Sequence, residues 1–228
     1  WWLRIKQAAE RGAKLIVLNP RQTKLDRAAK HSLRYPFGMA AAAVLAMVNS
    51  LSAKRPGLPE GLQDLVRSAE FKEAAQIFAS AENAVVLYGS EGMGLAESEN
   101  LAQACANLLI ATGHTGRSNN GLLPVWSRAN DQGAWEMGWR PVLDLAGALE
   151  KAKALYIAAA DPVGDDPAFQ AAFGGEKFVV VQDLYLTQTA RLADVVLPVQ
   201  SYIEREGSYT TGERRVQRFY PATQPIVA

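Results

Sequence analysis

The feature that most constrains this chain is a repeated change of hydrophobic period. Short continuous apolar runs recur at Lys14–Leu18, Ala84–Tyr88, Ala154–Ala158, Lys177–Val181 and Asp194–Pro198. Each is too short for a helix and rich in Val, Leu or Ile, which suits strands buried on both faces of a parallel sheet. Between them the spacing turns helical. Trp2, Ile5, Ala8 and Ala9 share one face, with Gly12 placed as a C-cap. Helices are predicted over 39–51, over 62–79 with a break near Ser68, over 95–111, over 142–152 and over 166–173, the last with Asp165 as N-cap. Strands alternating with helices predict an α/β fold, a doubly wound and mainly parallel sheet with helices on both faces. The segment Lys54-Arg55-Pro56-Gly57-Leu58-Pro59 is the best linker. It divides the expectation into a partial first α/β lobe over 1–58, truncated at Trp1, and a second α/β lobe over 59–228 that ends in a polar tail from Ser201 to Tyr220.

Composition excludes several partners. The net charge is +1, from 24 Lys+Arg against 23 Asp+Glu. Nucleic acid is therefore not an expected partner, because phosphate binding needs a concentrated basic face. The longest apolar run, Met39–Val48, is mostly alanine and falls short of the roughly 20 residues that cross a bilayer. It reads as a buried helix, with no direct membrane insertion. Cys105 is the only cysteine, so no disulfide forms within the chain. An iron–sulfur cluster takes about four Cys ligands, and His31 and His114 alone make a poor zinc site. No metal centre is expected in this chain. Cys105 itself, inside the helical pattern Leu101–Leu109, reads as a small buried apolar residue. The chain starts at Trp1 without a signal peptide, and the expectation is a piece of something longer.

In such sheets ligands bind at the carboxyl ends of the strands. Those segments are Asn19–Thr23, Gly89–Gly94, Ala159–Pro162 and Asp183–Tyr185. Gly89–Gly94 lies between a strand and a helix, where glycines let a phosphate approach the backbone and the helix N-terminus favours an anion. Its spacing is not G-x-G-x-x-G, and a tight turn is the competing reading. Arg21 is a partner for phosphate or carboxylate, or else a solvated loop arginine. Asp161, Asp165 and Asp166 lack the spacing of a calcium loop. His114, without a G-x-S-x-G motif, supports no catalytic triad. His31 reads as a polar surface residue.

The order of these segments carries a resemblance. Leu15-Ile16-Val17-Leu18-Asn19-Pro20-Arg21-Gln22-Thr23 resembles the (I/V)-D-P-R-x-T strand end of the molybdopterin oxidoreductases. Thr112-Gly113-His114-Thr115-Gly116-Arg117, then Asn130-Asp131-Gln132-Gly133-Ala134 and Met137-Gly138, resemble that family's T-G-x-x-G-R and N-x-Q-G-A … M-G stretches. Gln182-Asp183, Thr187, Thr189-Ala190, Ala193-Asp194-Val195-Val196-Leu197-Pro198, Glu206-Gly207 and Glu213-Arg214-Arg215-Val216-Gln217 resemble its V-Q-D … T-x-T-A … A-D-V-V-L-P … E-R-R-V-Q run. The resemblance covers nearly the whole chain. It implies the fold of the first three domains of formate dehydrogenase and DMSO reductase, and a pocket for pterin guanine dinucleotide on molybdenum or tungsten.

Several pocket positions depart from the pattern. Tyr35-Pro36-Phe37-Gly38 stands for P-G-T-D, Gly94-Leu95-Ala96-Glu97 for G-x-T-Q, Ala159-Ala160-Asp161-Pro162 for G-E-N-P, and Thr211 for an Asn. Glu97 adds repulsion toward a polyanion. These departures, with Asn119–Trp126 and Arg128–Trp135, make the chain similar to the large iron–sulfur subunit of NADH:quinone oxidoreductase, respiratory complex I. That resemblance implies a scaffold domain on the cytoplasmic side of the membrane, partnered by the other subunits of that complex. It implies iron–sulfur clusters in an upstream part and no pterin guanine dinucleotide in a degenerate pocket. The relict cofactor-binding candidates are Asn19, Arg21, Thr23, Gly92, Gly94, Asn130, Gln132, Gly133, Asp161, Asp183, Glu213 and Arg214, and no catalytic residue is expected. Two other readings stand beside this one. The first is a fragment of a molybdenum or tungsten enzyme such as formate dehydrogenase, favoured by Asn19-Pro20-Arg21, Asn130-Asp131-Gln132-Gly133 and Glu213-Arg214-Arg215. The second is a generic nucleotide-binding module using the Gly89–Gly94 turn.

Overall fold

A computed structural model describes residues 1–51, 65, 67–89, 91, 92 and 94–225. The chain divides into two compact units, Trp1–Ser127 and Arg128–Ala228. The expected boundary at 58/59 lies outside the described residues. The helix over 40–51 shares a core with the helices that follow it.

The first unit opens with α1 (Trp2–Glu10), closed by Gly12 at a positive φ of 103°. Then come β1 (Ile16–Leu18), a 3-10 turn over Lys24–Ala28, β2 (His31–Leu33) and α2 (Ala40–Leu51). They are followed by α3 (Ala69–Ser80), β3 (Val85–Tyr88), α4 (Leu95–Ala111) and β4 (Gly121–Pro124). β1 and β2 pair in parallel, Val17 opposite Ser32, and β3 and β4 pair in parallel, Leu87 opposite Leu123. The core is helical. α4 buries Leu101, Ala104, Cys105, Leu108 and Leu109, a 3–4 spacing that presents one stripe. Against it lies the alanine face of α2, with Ala43 and Ala46 at 0% exposure, together with Met47, Phe71 and Leu33. Alanines there let the helix axes approach closely, so the run expected to be a buried helix is one.

The second unit holds α5 (Asp131–Glu136), α6 (Leu145–Lys151), β5 (Ala154–Ala158) and α7 (Pro162–Asp165). A 3-10 stretch over Pro167–Phe173, β6 (Phe178–Asp183), a 3-10 turn over Ala190–Leu192 and β7 (Val195–Pro198) follow, then β8 (Gly207–Thr210) and β9 (Val216–Phe219). β5, β6 and β7 form a parallel sheet in that order, with Ile157 opposite Val181 and Val181 opposite Val196. Val179, Val181, Leu155 and Ile157 pack on one side against Val163, Phe173 and Ala190. β8 and β9 form an antiparallel hairpin in which Tyr209 stacks on Phe219 with centroids 4.7 Å apart.

All five expected strands form, and the architecture is α/β with parallel sheets. Four details differ. The strands are distributed over three separate parallel sheets among the described residues. β5 alternates between exposed and half-buried residues, so its sheet is covered on one face rather than two. The 142–152 helix starts only at Leu145, because Pro141 precedes it and Asp144 caps it, its Oδ1 accepting from Gly147 N at 2.9 Å. Asp165 is not a cap. Asp161 caps α7, and Asp166 caps the 3-10 stretch by accepting from Ala168 N at 2.9 Å.

Candidate functional site

At the end of β1, Asn19 turns back on its own loop, its Oδ1 accepting from Arg21 N at 3.0 Å. Thr23 caps the next turn, its hydroxyl donating to Asp26 Oδ2 at 2.6 Å. Arg34, just after β2, pairs with Asp26 and donates to the Asn19 carbonyl at 3.2 Å. The Thr23 hydroxyl bond, more than any other cause, holds the Asp26 carboxyl well below its ordinary range, and Arg34 adds to it. Asn19 and Thr23 are thus fasteners of the loop, whereas the Arg21 side chain is exposed.

The glycine turn after β3 has a different character. Gly92 and Gly94 take positive φ of 80° and 96°, and a Cβ built on either would meet nothing within 4 Å. The space on the Cβ side of both glycines is therefore open, ahead of the 17-residue helix α4. A hollow of about 10 Å³ lies beside it, lined by Gly38, Ala40, Glu91, Glu97, Ser98 and Leu101. Glu91 fixes one wall, accepting from the Tyr35 hydroxyl at 2.9 Å and Gly38 N at 3.1 Å. Burial, then Glu91, pushes the Tyr35 hydroxyl well above its ordinary value. A carboxylate of the chain thus sits at the start of α2, in the turn where the family pattern P-G-T-D would place its own. Glu97 stands in the first turn of α4 and accepts from Asn100 at 3.4 Å.

In the second unit the candidates are mostly internal fasteners. Asn130 Oδ1 accepts from Thr210 N at 2.9 Å, and Arg214 pairs with Glu136 at 3.1 Å, so α5 is tied to the hairpin β8–β9 at two points. Gly133 is required there, since an added Cβ would collide with the Asn130 amide, its Cγ 2.8 Å away. Gln132 is buried and donates to Glu136 Oε1 at 2.6 Å. Asp161 caps α7 and also accepts from Thr189 N at 2.8 Å and Thr189 Oγ1 at 2.7 Å. Those Thr189 bonds are the main cause of its lowered pKa. Asp183 accepts from Tyr185 N at 3.0 Å. Glu213 is exposed in the hairpin turn, next to Arg214 at a positive φ of 59°.

The structure brings Asn130, Gln132, Gly133 and Arg214 together in the second unit, and Asp161 and Asp183 end neighbouring strands β5 and β6. Arg21, Gly92 and Gly94 are in the first unit. Sequence reasoning missed Glu91, Arg34, Asp26 and Thr189. The Thr23-x-x-Asp26 spacing is a readable capping signal, whereas nothing local marks Glu91 as the partner of Tyr35. His31 is half-buried in β2, 3.5 Å from Glu73, rather than a surface residue. His114 is buried at 1% exposure and locked in the core, its Nε2 2.8 Å from the Ala81 carbonyl. Cys105 is equally sealed, and burial pushes its thiol up to about 12. Among the described residues no group of three or more His, Cys, Asp or Glu side chains is placed to hold a metal ion. No described helix is long and apolar enough to cross a membrane.

Comparison with known proteins places this geometry in a family. The chain matches the family described as molybdopterin oxidoreductase over residues 2–228. It is 28% identical to formate dehydrogenase H of Escherichia coli, across 96% of this chain and 39% of that protein. It is 30% identical to the alpha subunit of formate dehydrogenase 2 of Methanococcus maripaludis, across 96% of this chain and 41% of the relative. Acetylene hydratase from Pelobacter acetylenicus shares the fold, with a TM-score of 0.66 at 18% identity, over 99% of this chain and 42% of that one. These findings overturn the assignment to the NADH:quinone oxidoreductase large subunit, and with it that complex's subunits as partners; they give no support to a location at that complex's membrane. The substitutions at 35–38, 94–97 and 159–162 occur in a chain whose relatives are formate dehydrogenases, so they do not mark a complex I subunit. The chain spans about two fifths of the length of these relatives, and it belongs to the molybdopterin oxidoreductase family.

Proposed function

We propose that this chain is part of the catalytic subunit of a formate dehydrogenase-type enzyme and contributes one portion of the cradle for a molybdenum- or tungsten-bound pterin guanine dinucleotide. The observation that carries this reading is the end-to-end alignment with formate dehydrogenase alpha subunits over 96% of the chain. The local chemistry fits in part. Open space beside Gly94 at the head of α4, and the exposed Arg21 cation after β1, suit a polyanionic group. Glu97 opposes it by like charge. When bound, the metal–pterin group would supply two-electron redox chemistry. The residues of this chain would bind and orient: the Gly94 backbone at the head of α4 toward phosphate, Arg21 as a counter-charge, and Glu91 with Tyr35 holding the wall of the hollow before α4. No residue here is proposed to ligate the metal, since the Cys105 thiol is shut in the α2–α4 core.

The test is composition. Native protein containing this chain, purified and acid-hydrolysed, is assayed for molybdenum, tungsten and released guanine nucleotide. Near-stoichiometric metal with guanine nucleotide supports the reading. Metal-free protein with intact fold and no guanine nucleotide refutes it.

A further inference from the structure

The loop ahead of β3 and the loop ahead of β4 are laced together. His114 Nε2 lies 2.8 Å from the Ala81 carbonyl, and Arg117 donates to the Glu82 carbonyl at 2.9 Å. Asn120 makes the rest of the seam. Its Oδ1 accepts from Ala84 N at 2.7 Å, and its Nδ2 donates to the Ser118 carbonyl at 2.8 Å and to Asn83 Oδ1 at 3.1 Å. Gly121 N donates to the Ala84 carbonyl at 3.2 Å, where the register of Val85 opposite Gly121 begins. Asn120 is also the one asparagine of the chain that is followed by glycine. Glycine leaves the backbone freest to bend its nitrogen back onto the preceding side chain. The space where a Cβ would project from Gly121 is empty to 4 Å. The fold thus holds both reacting groups of an Asn-Gly step in hydrogen bonds, the nucleophilic nitrogen on Ala84 and the leaving amide on Ser118 and Asn83.

We propose that Asn120 is a covalent modification site, converted to an aspartyl or isoaspartyl residue when the start of the β3–β4 pair opens, and that the conversion keeps the pair from re-forming. Once the Ala84 carbonyl lets go, Gly121 N loses its proton to hydroxide and attacks Asn120 Cγ. The Cγ–Nδ2 bond breaks, Nδ2 takes a proton from water and leaves as ammonia, and a succinimide ring remains. Water then adds to one of the two ring carbonyls and opens it. Attack at one carbonyl gives the aspartyl chain, and attack at the other gives the isoaspartyl chain. No electrons are exchanged with another reactant. An aspartyl product sets a carboxylate against the Ser118 carbonyl and Asn83 Oδ1, two acceptors with no proton to offer. An isoaspartyl product adds one backbone carbon between positions 120 and 121, which displaces the evenly spaced ladder from Gly121 onward. β3 leads directly into the Gly89–Gly94 turn, so an event at the start of the strand loosens the candidate site at its end.

Peptide mass mapping of native protein that contains this chain tests the proposal. Conversion in mildly alkaline buffer is followed on the tryptic peptide Ser118–Arg128, by the mass gained when an amide becomes an acid and by the separate elution of the isoaspartyl form. Asn120 in native protein converts at least about tenfold more slowly than in the free peptide, as expected of a step that needs local opening. Urea well below the unfolding midpoint speeds the native reaction at least about threefold. Asn83→Ala, which removes one anchor of the leaving amide, speeds it without urea. Converted protein loses hydrogen-exchange protection over β3 and β4. Equal rates in native protein and free peptide overturn the proposal, and so does a native rate unmoved by urea. Converted protein that keeps its exchange protection over β3 and β4 overturns the one-way step. If Asn83→Ala does not fold, the urea series in the unsubstituted protein decides.

Discussion

Replacing His114 probes how the first unit is held together. Nε2 lies 2.8 Å from the Ala81 carbonyl, which can only accept, so Nε2 carries the proton. In the neutral ring Nδ1 then accepts, and the Thr112 hydroxyl at 2.8 Å donates to it. The ring also meets Phe78 edge-on at 5.5 Å. His114→Leu keeps the bulk and removes both polar ends. Thr112 has an alternative acceptor in the Leu108 carbonyl, 2.8 Å away. The Ala81 carbonyl loses its imidazole donor, at about 1–3 kcal/mol, and the lost aromatic edge contact adds about 0.5–1 kcal/mol. His114→Leu is thus expected to cost about 2–3 kcal/mol, and His114→Ala about 3–5 kcal/mol because a cavity is added. His114→Gln, whose amide can still donate toward Ala81, costs less than His114→Leu. Urea unfolding followed by circular dichroism at the helix band reads this directly. With a slope of about 1.5–2 kcal/mol per molar, His114→Leu lowers the midpoint by about 1–2 M. A His114→Leu midpoint within about 0.2 M of the parent refutes the fastening role.

Two other changes test the motif residues. Gly133→Ala should be at least about 1 kcal/mol less favourable in the parent than in an Asn130→Ala background, where the helix gain of about 1 kcal/mol is realised without displacing the amide from Thr210. A double-mutant cycle by thermal melts measures that coupling, and additivity sinks the idea. The Asp26 carboxyl is depressed in the folded chain, so its stabilisation is complete above the ordinary value of 3.8 and is lost as pH falls through the lower folded value. Asp26→Asn should therefore be less stable than the parent at neutral pH, with the gap closing as pH falls below 3.8, as read by urea midpoints across pH 2–7.

The elements readable in advance were those whose hydrophobic period is strong. Leu101, Cys105 and Leu108 mark a helix face by spacing alone, and Val179 with Val181 marks a strand. β2 was hidden because His31-Ser32-Leu33 has no apolar run and becomes a strand by pairing with β1. β4 was hidden in a glycine- and asparagine-rich stretch, and the hairpin β8–β9 in a polar one, where the Tyr209–Phe219 stack supplies the order. The candidate site was readable as a set of chemically notable residues but not as a set of roles. Asp161 resembles a ligand in sequence. In space it serves amides and a hydroxyl at Gly164, Gln188 and Thr189, up to 28 residues away, and no local pattern announces that. The same holds for Asn130, whose partner Thr210 is 80 residues on. Polar residues at strand ends satisfy orphan backbone donors as readily as they bind ligands, and only the fold decides between the two.

The proposed part in a formate dehydrogenase-type enzyme separates formate chemistry from NADH oxidation as the source of electrons. The measurement that meets it most directly is dye reduction by native protein containing the chain, with formate or NADH as the only electron donor. The expected result is formate-dependent reduction that is lost when molybdate and tungstate are withheld during growth. NADH-dependent reduction without response to formate, in protein free of molybdenum and tungsten, would contradict it.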